Sequence, residues 1–186
     1  MSRQVLFIQG GGAAVHDEWD DKLVASLSAA LGPDYEIRYP RMPDEDDPSY
    51  ATWSAALATE LAALDDGAIV VGHSLGGTIL VNAIAEHPPE RALGAIVLLA
   101  APFVGEGGWQ TDEWTPQTAL GEKLPRGVPI HLFFGLADDT VPASHASAYA
   151  RAIPEAELRR LPGRDHQLGN DLSEVAEVIR SSSARA

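Results

Sequence analysis

The sequence predicts an α/β fold, in which a six-stranded parallel sheet is covered by helices on both faces and forms a three-layer sandwich. Short apolar runs rich in β-branched residues alternate with longer stretches whose apolar residues recur at helical spacing, and this alternation is typical of βα units. Four of the six runs are apolar enough to be buried on both faces of a parallel sheet. Glycine or proline follows several of the helical stretches, where a helix has to stop.

The predicted strands, in chain order, are Val5–Gln9, Tyr35–Tyr39, Ala68–Gly72, Ala95–Ala100, Ile130–Phe134 and Glu157–Leu161. The second and the last contain Glu and Arg, so we expect them at the two edges of the sheet. The predicted helices are Glu18–Leu31, Tyr50–Leu64, Gly76–Glu86, Ser144–Ala152 and Leu172–Arg180. Asp171 and Ser173 are start signals for the last helix, because their side chains can accept a hydrogen bond from a free amide.

Composition narrows the classes of function. The chain has 186 residues, 45% of them hydrophobic, which predicts one globular domain over residues 1–186. The six βα units use up this length and leave no separate cap domain. The absence of cysteine excludes thiolate-bound metals and a cysteine nucleophile. A net charge of −14 disfavours nucleic acid and anionic membranes as partners. Because no apolar run has the length of a signal peptide core or a membrane span, we expect a cytoplasmic protein.

Two segments fit neither strand nor helix. Arg41–Ser49 contains four consecutive acidic residues between two prolines, and we expect a loop whose charges face water rather than a cation site. Phe103–Gly127 is a long connection that includes Trp109 and Trp114. Long connections are often functional, so the two tryptophans are candidates for a small lid or a wall of the substrate pocket. The alternative is that they pack the loop onto the core.

A short motif after the third predicted strand points to chemistry. Residues 72–77 are Gly-His-Ser-Leu-Gly-Gly and match the pattern Gly-x-Ser-x-Gly. The match begins where a strand ends and leads into a helix, which is the setting of a nucleophile elbow. This sharp turn strains the backbone of the serine, and its neighbours must be small so that strand and helix can approach. We predict Ser74 as a nucleophile, in preference to a serine that only caps the helix.

A nucleophilic serine needs a base, and the base needs a carboxylate to orient it. On an α/β sheet these residues follow in the order Ser, acid, His, on loops at the carboxyl ends of later strands. The loop after Ile130–Phe134 contains Asp138 and Asp139. We predict Asp138 as the acid, with Asp139 as the fallback and with a turn-capping role expected for Asp139.

The candidate base is His166, in the turn after the last strand, where its ring can reach over the sheet toward the serine. His145, the other histidine beyond the acid, begins a helix, and we expect it at the surface. His73 lies inside the elbow and is expected to pack beside the turn. His87, at a helix end, and His131, within a strand, are interpreted as structural.

Attack on a carbonyl creates an oxyanion, which backbone N–H groups must stabilise. Leu75 follows the serine at a helix N-terminus and is the first predicted donor. The loop after the first strand contains three glycines, of which Gly11 is the predicted second donor and Gly12 the alternative. Nucleotide binding by these glycines is disfavoured, because Val15 stands where a dinucleotide fingerprint requires Gly or Ala and no P-loop lysine follows.

With elbow, acid, base and oxyanion loop in this order, the chain resembles the α/β-hydrolase superfamily over nearly its whole length, and in particular the small serine hydrolases similar to retinoblastoma-binding serine hydrolase. The resemblance rests on residues 72–77, on the acid loop from Gly135 to Pro142, on Asp165-His166 and on Trp53. It implies the strand order 2-1-3-4-5-6 and a compact fold without the large cap of lipases. Gln9 departs from the pattern, which commonly has histidine there.

The resemblance implies a serine hydrolase that cleaves small carboxylic esters and uses no cofactor and no metal. In that reaction Ser74 attacks, His166 transfers the proton, Asp138 holds the tautomer, and the N–H groups of Gly11 and Leu75 bind the oxyanion.

Two kinds of alternative stay open at this point. The same triad could serve a thioesterase, an amidase or a perhydrolase. The protein could also be an interaction module whose triad is idle or secondary. We expect an open, shallow site shaped by the loops Gly10–Asp17 and Phe103–Gly127, with four candidates for contact with a small-molecule substrate: Gly12, His73, Trp109 and Trp114.

Overall fold

The computed structural model describes residues 2–183, and its strands form one parallel sheet. The strands are β1 Arg3–Ile8, β2 Tyr35–Arg38, β3 Ala68–His73, β4 Leu93–Leu99, β5 Ile130–Gly135 and β6 Glu157–Leu161. Their order in the sheet is β2-β1-β3-β4-β5-β6, so the predicted fold class and strand order are confirmed. β2 and β6 lie at the edges, where their Glu and Arg side chains can reach water, whereas every residue of β3 and β5 is buried.

The helices are α1 Asp20–Leu31, α2 Tyr50–Ala62, α3 Ser74–Glu86, α4 Leu120–Lys123, α5 Ser144–Ala152 and α6 Ser173–Ser183. Five of them were predicted to within a few residues, and the short α4 within the connection Phe103–Gly127 was not. A π-helical turn, Val15–Trp19, precedes α1, so this helix begins slightly later than predicted. At the start of α6 the N–H of Ser173 donates to the carboxylate of Asp171 at 3.0 Å.

Two hydrophobic cores lie on opposite faces of the sheet, and β1 contributes to both. Leu6 and Ile8 belong to the core that holds α2, α3 and α5, together with the fully buried Trp53. Val5 and Phe7 belong to the core that holds α1 and α6. Because side chains of a strand alternate between its faces, a strand that is apolar throughout can serve both cores.

The parallel arrangement determines where the predicted functional segments meet. Because all strands are parallel, the carboxyl ends of β1, β3, β5 and β6 lie at the same end of the sheet. The segments that follow these four strands contain, in turn, the predicted oxyanion loop, nucleophile, acid and base. Among residues 2–183, none of the helices combines the length and the apolar character that a membrane crossing requires.

Candidate active site

The predicted nucleophile lies at the sharp turn between β3 and α3. The first residue of α3 is Ser74, whose φ of 49° falls in the left-handed region, a conformation that is strained for a residue with a side chain. A Cβ on Gly72 would lie 2.5 Å from Cα of Gly77, and a Cβ on Gly76 would overlap with the carbonyl oxygen of Gln9. Only glycine fits at these positions, which is the physical reason for the small residues around the serine.

Three predicted residues meet above this turn. Nε2 of His166 lies 3.0 Å from Oγ of Ser74, and Nδ1 of the same ring lies 2.8 Å from Oδ2 of Asp138. An ionised carboxylate only accepts hydrogen bonds, so Nδ1 carries the proton of the neutral ring and Nε2 presents its lone pair to the hydroxyl. This arrangement can remove the proton of the serine and make its oxygen a nucleophile.

The acid is held by the turn that follows β5. Oδ1 of Asp138 accepts the backbone N–H groups of Thr140 and Val141, both at 2.8 Å, and the side chain of Asp138 is only 1% exposed. Asp139 is exposed, and its carboxylate lies 3.5 Å from the hydroxyl of Thr140. The turn-capping role that we expected for Asp139 is therefore wrong. Asp138 caps the turn with one oxygen and faces the histidine with the other.

The surroundings of the candidate base favour its neutral form. Burial lowers the pKa of His166 below its ordinary value of 6.5, and the positive charge of His73 lowers it further. The hydrogen bond and charge of Asp138 oppose this, as does the charge of Asp20. The net direction of the pKa is downward, so the ring is free to accept a proton at neutral pH.

The other histidine beyond the acid is not at the surface, so that expectation is wrong. His145 is 2% exposed, and its Nδ1 accepts the backbone N–H of Phe103 at 2.8 Å. Burial lowers the pKa of His145, which fits an imidazole nitrogen that acts as an acceptor. The histidine is buried because the start of the connection Phe103–Gly127 packs against it, and the helical pattern of α5 does not reveal the path of that connection.

A second histidine–aspartate pair lies behind the first, and sequence reasoning missed its acid. Nδ1 of His73 lies 2.9 Å from Oδ2 of Asp20, and both side chains are buried. His73 thus packs beside the turn as expected, but the expectation that it contacts substrate is wrong. The same carboxylate oxygen accepts the N–H of Gly10 at 2.7 Å, and Nε2 of His73 lies 3.1 Å from the backbone carbonyl of His166. A signal was present in the helical spacing, since Asp20 shares the buried face of α1 with Leu23, Leu27 and Leu31.

The loop after β1 lies beside the elbow. A Cβ on Gly11 would lie 2.7 Å from Cδ2 of Leu75, so the two predicted oxyanion donors are neighbours. Leu75 is in the first turn of α3, where backbone N–H groups have no acceptor within the helix. The N–H of Gly12 donates to the carbonyl of Glu45 at 2.6 Å. The Gly12 amide is thus already engaged and does not fit the role of the alternative donor.

The acidic loop packs against the glycine loop through Glu45. Its Oε2 accepts the side-chain amide of Gln9 at 2.5 Å and the N–H of His16 at 3.1 Å. The amide oxygen of Gln9 in turn accepts the N–H of Met42 at 3.1 Å. The expectation that the acidic run faces water is therefore wrong for Glu45, although it holds for the exposed residues Asp44, Asp46 and Asp47.

The two tryptophans of the long connection pack against other rings. Trp114 stacks on Tyr50 with ring centroids 4.2 Å apart, and Trp109 lies edge-on to His145 at 5.1 Å. A cleft of about 1550 Å³ lies between this connection and the end of α5, and its lining includes Phe103, Leu120 and Ile153. The residues within 2–183 that line this cleft do not include Ser74, Asp138 or His166. These ring contacts are those of loop packing, and a lid role stays a prediction.

The fold and this site together define the α/β-hydrolase class. The chain belongs to the serine hydrolase family, whose model matches residues 6–170. The finer likeness to retinoblastoma-binding serine hydrolase stays a prediction. Within the described part of the chain, residues 2–183, no three His, Asp or Glu side chains are grouped as ligands for a metal ion.

Several solved structures share the fold. The ydeN gene product from B. subtilis has a TM-score of 0.77 and 21% identity, and the match covers 98% of this chain and 100% of that one. The esterase domain of a Rhodothermus marinus protein has a TM-score of 0.67 and 20% identity, with 98% and 87% covered. Est1E from Butyrivibrio proteoclasticus, with ferulic acid bound, has a TM-score of 0.65 and 15% identity, with 98% and 88% covered. No curated protein sequence matches this chain at a significant level.

Proposed function

We propose that this protein hydrolyses small carboxylic esters through an acyl-enzyme on Ser74. The observation that carries the proposal is the line of contacts from Asp138 through His166 to Ser74, at 2.8 and 3.0 Å, on a strained turn at a helix N-terminus. Membership of the serine hydrolase family supports the reaction class. The choice of an ester rests on analogy with the esterases that share the fold.

Acylation begins when Oγ of Ser74 attacks the ester carbonyl carbon and its proton passes to Nε2 of His166. The carbonyl oxygen becomes an oxyanion, which the N–H groups of Gly11 and Leu75 stabilise. When the tetrahedral intermediate collapses, the bond to the alcohol oxygen breaks and the alcohol leaves with the proton from His166. Throughout, Asp138 stabilises the imidazolium and holds the ring in place.

Deacylation repeats these steps with water. His166 takes a proton from water, whose oxygen attacks the acyl carbon, and the second tetrahedral intermediate expels Ser74 with the proton returned to its Oγ. The products are a carboxylic acid and the regenerated serine. Because loops rather than a cap domain are expected to shape the site, small or accessible esters are the expected substrates. Nucleic acid and membranes stay disfavoured as partners because of the net charge of −14.

A fluorophosphonate probe tests the nucleophile directly. The probe reacts with activated serines, so peptide mapping is expected to find the label on Ser74, and Ser74→Ala is expected to abolish labelling. Ser182→Ala, which removes a buried serine elsewhere in the chain, serves as the matched control and is expected to label as the unchanged protein does. Labelling that survives Ser74→Ala in folded protein would contradict the proposal.

The leaving group needs a separate experiment. Turnover of p-nitrophenyl esters with increasing acyl length is compared with turnover of the matching thioesters and anilides. We expect the highest kcat/KM on short esters. A clear preference for thioesters or anilides would replace the ester proposal with a thioesterase or an amidase. Labelling of Ser74 without turnover of any of these substrates would favour the interaction module.

A further inference from the structure

We propose that Asp20 and His73 form an ion pair that positions catalytic groups. The pair holds the glycine loop after β1 and the turn after β6 in a fixed relative position, and it places a positive charge next to His166. This inference rests on the proposed serine hydrolase function and names two residues that act through the triad rather than on the substrate. The pair is wholly enclosed, since the side chains of Asp20 and His73 are 0% and 1% exposed.

The contacts of His73 determine its protonation. Nε2 faces the backbone carbonyl oxygen of His166 at 3.1 Å, and a carbonyl oxygen only accepts hydrogen bonds. Nδ1 faces Oδ2 of Asp20 at 2.9 Å, and that oxygen already accepts the N–H of Gly10. A neutral imidazole has one N–H and can satisfy only one of these two acceptors. An imidazolium beside an aspartate satisfies both, so the geometry assigns the pair as an ion pair.

The pKa directions agree with that assignment. Burial alone lowers the pKa of His73, but the charge and hydrogen bond of Asp20 outweigh it, and the pKa of His73 is raised. Burial alone raises the pKa of Asp20, but the charge of His73 and the hydrogen bonds of His73, Gly10 and Gln167 reverse the direction. Both groups are thus held in their charged forms by each other.

The pair connects two loops that lie far apart in the chain, the glycine loop after β1 and the turn after β6. One end of the line of contacts is the N–H of Gly10, next to the predicted donor Gly11, and the other end is the backbone of His166. The oxyanion donors and the base must act on the same carbonyl group, so a displacement between their loops weakens catalysis. A buried ion pair adds little net stability, because desolvation of the charges offsets their attraction. We therefore assign these contacts to the alignment of the two loops rather than to stability.

The charge of the pair also acts on the base. The rings of His73 and His166 lie 5.0 Å apart. Around His166 the charged groups are His73 at the end of β3, Asp138 on the loop after β5 and Asp20 at the start of α1. Of the two members of the pair, His73 has the larger effect on the base. The ion pair therefore helps to keep His166 neutral while Asp138 orients it.

The test is the pH dependence of kcat/KM for a p-nitrophenyl ester in a set of variants. His73→Gln removes the positive charge and leaves the carboxylates of Asp20 and Asp138 near His166, which raises the pKa of this base. The acid side of the kcat/KM profile, called here the acid limb, is therefore expected to move to higher pH by about one unit. Asp20→Asn/His73→Gln replaces the ion pair by two neutral amides, and its limb is expected between those of His73→Gln and the unchanged protein. In both variants we expect kcat to fall with little change in KM, because the pair aligns catalytic groups and does not contact substrate.

His131→Gln is the matched control, because it removes a buried imidazole near the start of β5, at the end of the sheet opposite to the active site. The acid limb of this variant is expected to stay in place. The double variant keeps the test valid if His73→Gln alone does not fold, since it leaves no unpaired charge buried. Folded variants whose acid limbs and kcat equal those of the unchanged protein would overturn the positioning role.

A measurement on the resting protein separates this inference from the proposed function. In ¹⁵N-histidine NMR at pH 7, the imidazole whose signals vanish in His73→Gln is expected to have both ring nitrogens protonated. A neutral His73 overturns the inference even if esters are hydrolysed. Conversely, if the unchanged protein neither labels at Ser74 nor hydrolyses esters, the proposed function fails, and the positioning role fails with it.

Discussion

Within residues 2–183, serine, histidine and a carboxylate meet twice, at opposite ends of the sheet. The carboxyl-end cluster consists of Ser74, Asp138 and His166. The amino-end cluster consists of Ser182, Glu157 and His131: Nε2 of the histidine lies 3.2 Å from the serine Oγ, and its Nδ1 lies 3.3 Å from Oε2 of the glutamate. Judged by these distances alone, the two clusters are similar.

The hydrogen of the serine hydroxyl distinguishes them. Ser182 lies within α6, and its hydroxyl donates to the carbonyl of Val178 at 3.0 Å. A hydroxyl has one hydrogen, so His131 must donate its Nε2–H to Ser182 and cannot accept the serine proton. Ser182 also lies near the C-terminus of its helix, where free carbonyl groups disfavour a developing oxyanion. Ser74 lies instead at the N-terminus of α3 with φ of 49°. The backbone around the three side chains therefore determines whether they can catalyse.

Replacement of the two histidines is expected to give the largest difference between the clusters. His166→Ala removes the base of the carboxyl-end cluster, so kcat/KM on a p-nitrophenyl ester is expected to fall by roughly 10⁴-fold or more. His131→Ala is expected to leave kcat/KM within about twofold once the fraction of folded protein is taken into account. Equal losses in both variants would break the distinction between the clusters.

The acids are expected to give the next largest effect. Asp138→Asn removes the acceptor that sets the tautomer of His166, and kcat is expected to fall by about 10³- to 10⁴-fold. Glu157→Gln and Asp139→Asn are the controls, and both are expected to retain turnover. If Asp139→Asn alone abolished activity, the assignment of the acid would be wrong.

A substitution at Gly11 tests whether the glycine loop must pack closely against the elbow. Gly11→Ala places a Cβ 2.7 Å from Cδ2 of Leu75 and 3.0 Å from Cγ of Pro48, so either the side chain of Leu75 or the glycine loop has to move. We expect kcat to fall by roughly tenfold to a hundredfold while circular dichroism and labelling of Ser74 show a folded protein. Unchanged kcat would show that the close packing of Gly11 against Leu75 is not needed to position the oxyanion donors.

The pH profile sharpens the assignment of the base. His166 must be neutral to accept a proton, and its pKa lies below 6.5, mainly because of burial. The value of kcat/KM is therefore expected to rise with pH, to reach half its plateau below pH 6.5, and to fall about tenfold per unit of pH on the acid side. A midpoint clearly above 6.5, measured with an uncharged ester, would contradict this description of the site.

The smallest expected effect is on stability at the amino end. Ser182→Ala removes the hydroxyl that bonds Val178 and His131, and the free energy of unfolding is expected to fall by about 1 kcal/mol. Thermal or urea denaturation measures this change, and ester kinetics serve as the control because kcat and KM are expected to stay the same. A large loss of turnover would give the amino-end cluster a part in the reaction.

The sequence by itself determined the features that depend on local pattern. The alternation of apolar runs with helical stretches, and the glycines and prolines that end helices, predicted the six strands. In a parallel α/β sheet the segments that follow β1, β3, β5 and β6 lie at the same end of the sheet. The spacing of residues 72–77 predicted the elbow. Asp138 and His166 could be predicted because each stands in the loop that follows a strand, and the structure brings both to Ser74.

Only the tertiary structure decided which charged and polar side chains are buried. Asp20 and His73 are 53 positions apart in the chain, and no local pattern shows that they pair. Glu45 faces Gln9 rather than water, and His145 lies under a loop. The physical reason is that a polar group is buried only where a partner satisfies its hydrogen bonds or charge. Such partners come from distant parts of the chain, whereas strands and helices follow from the periodicity of neighbouring residues.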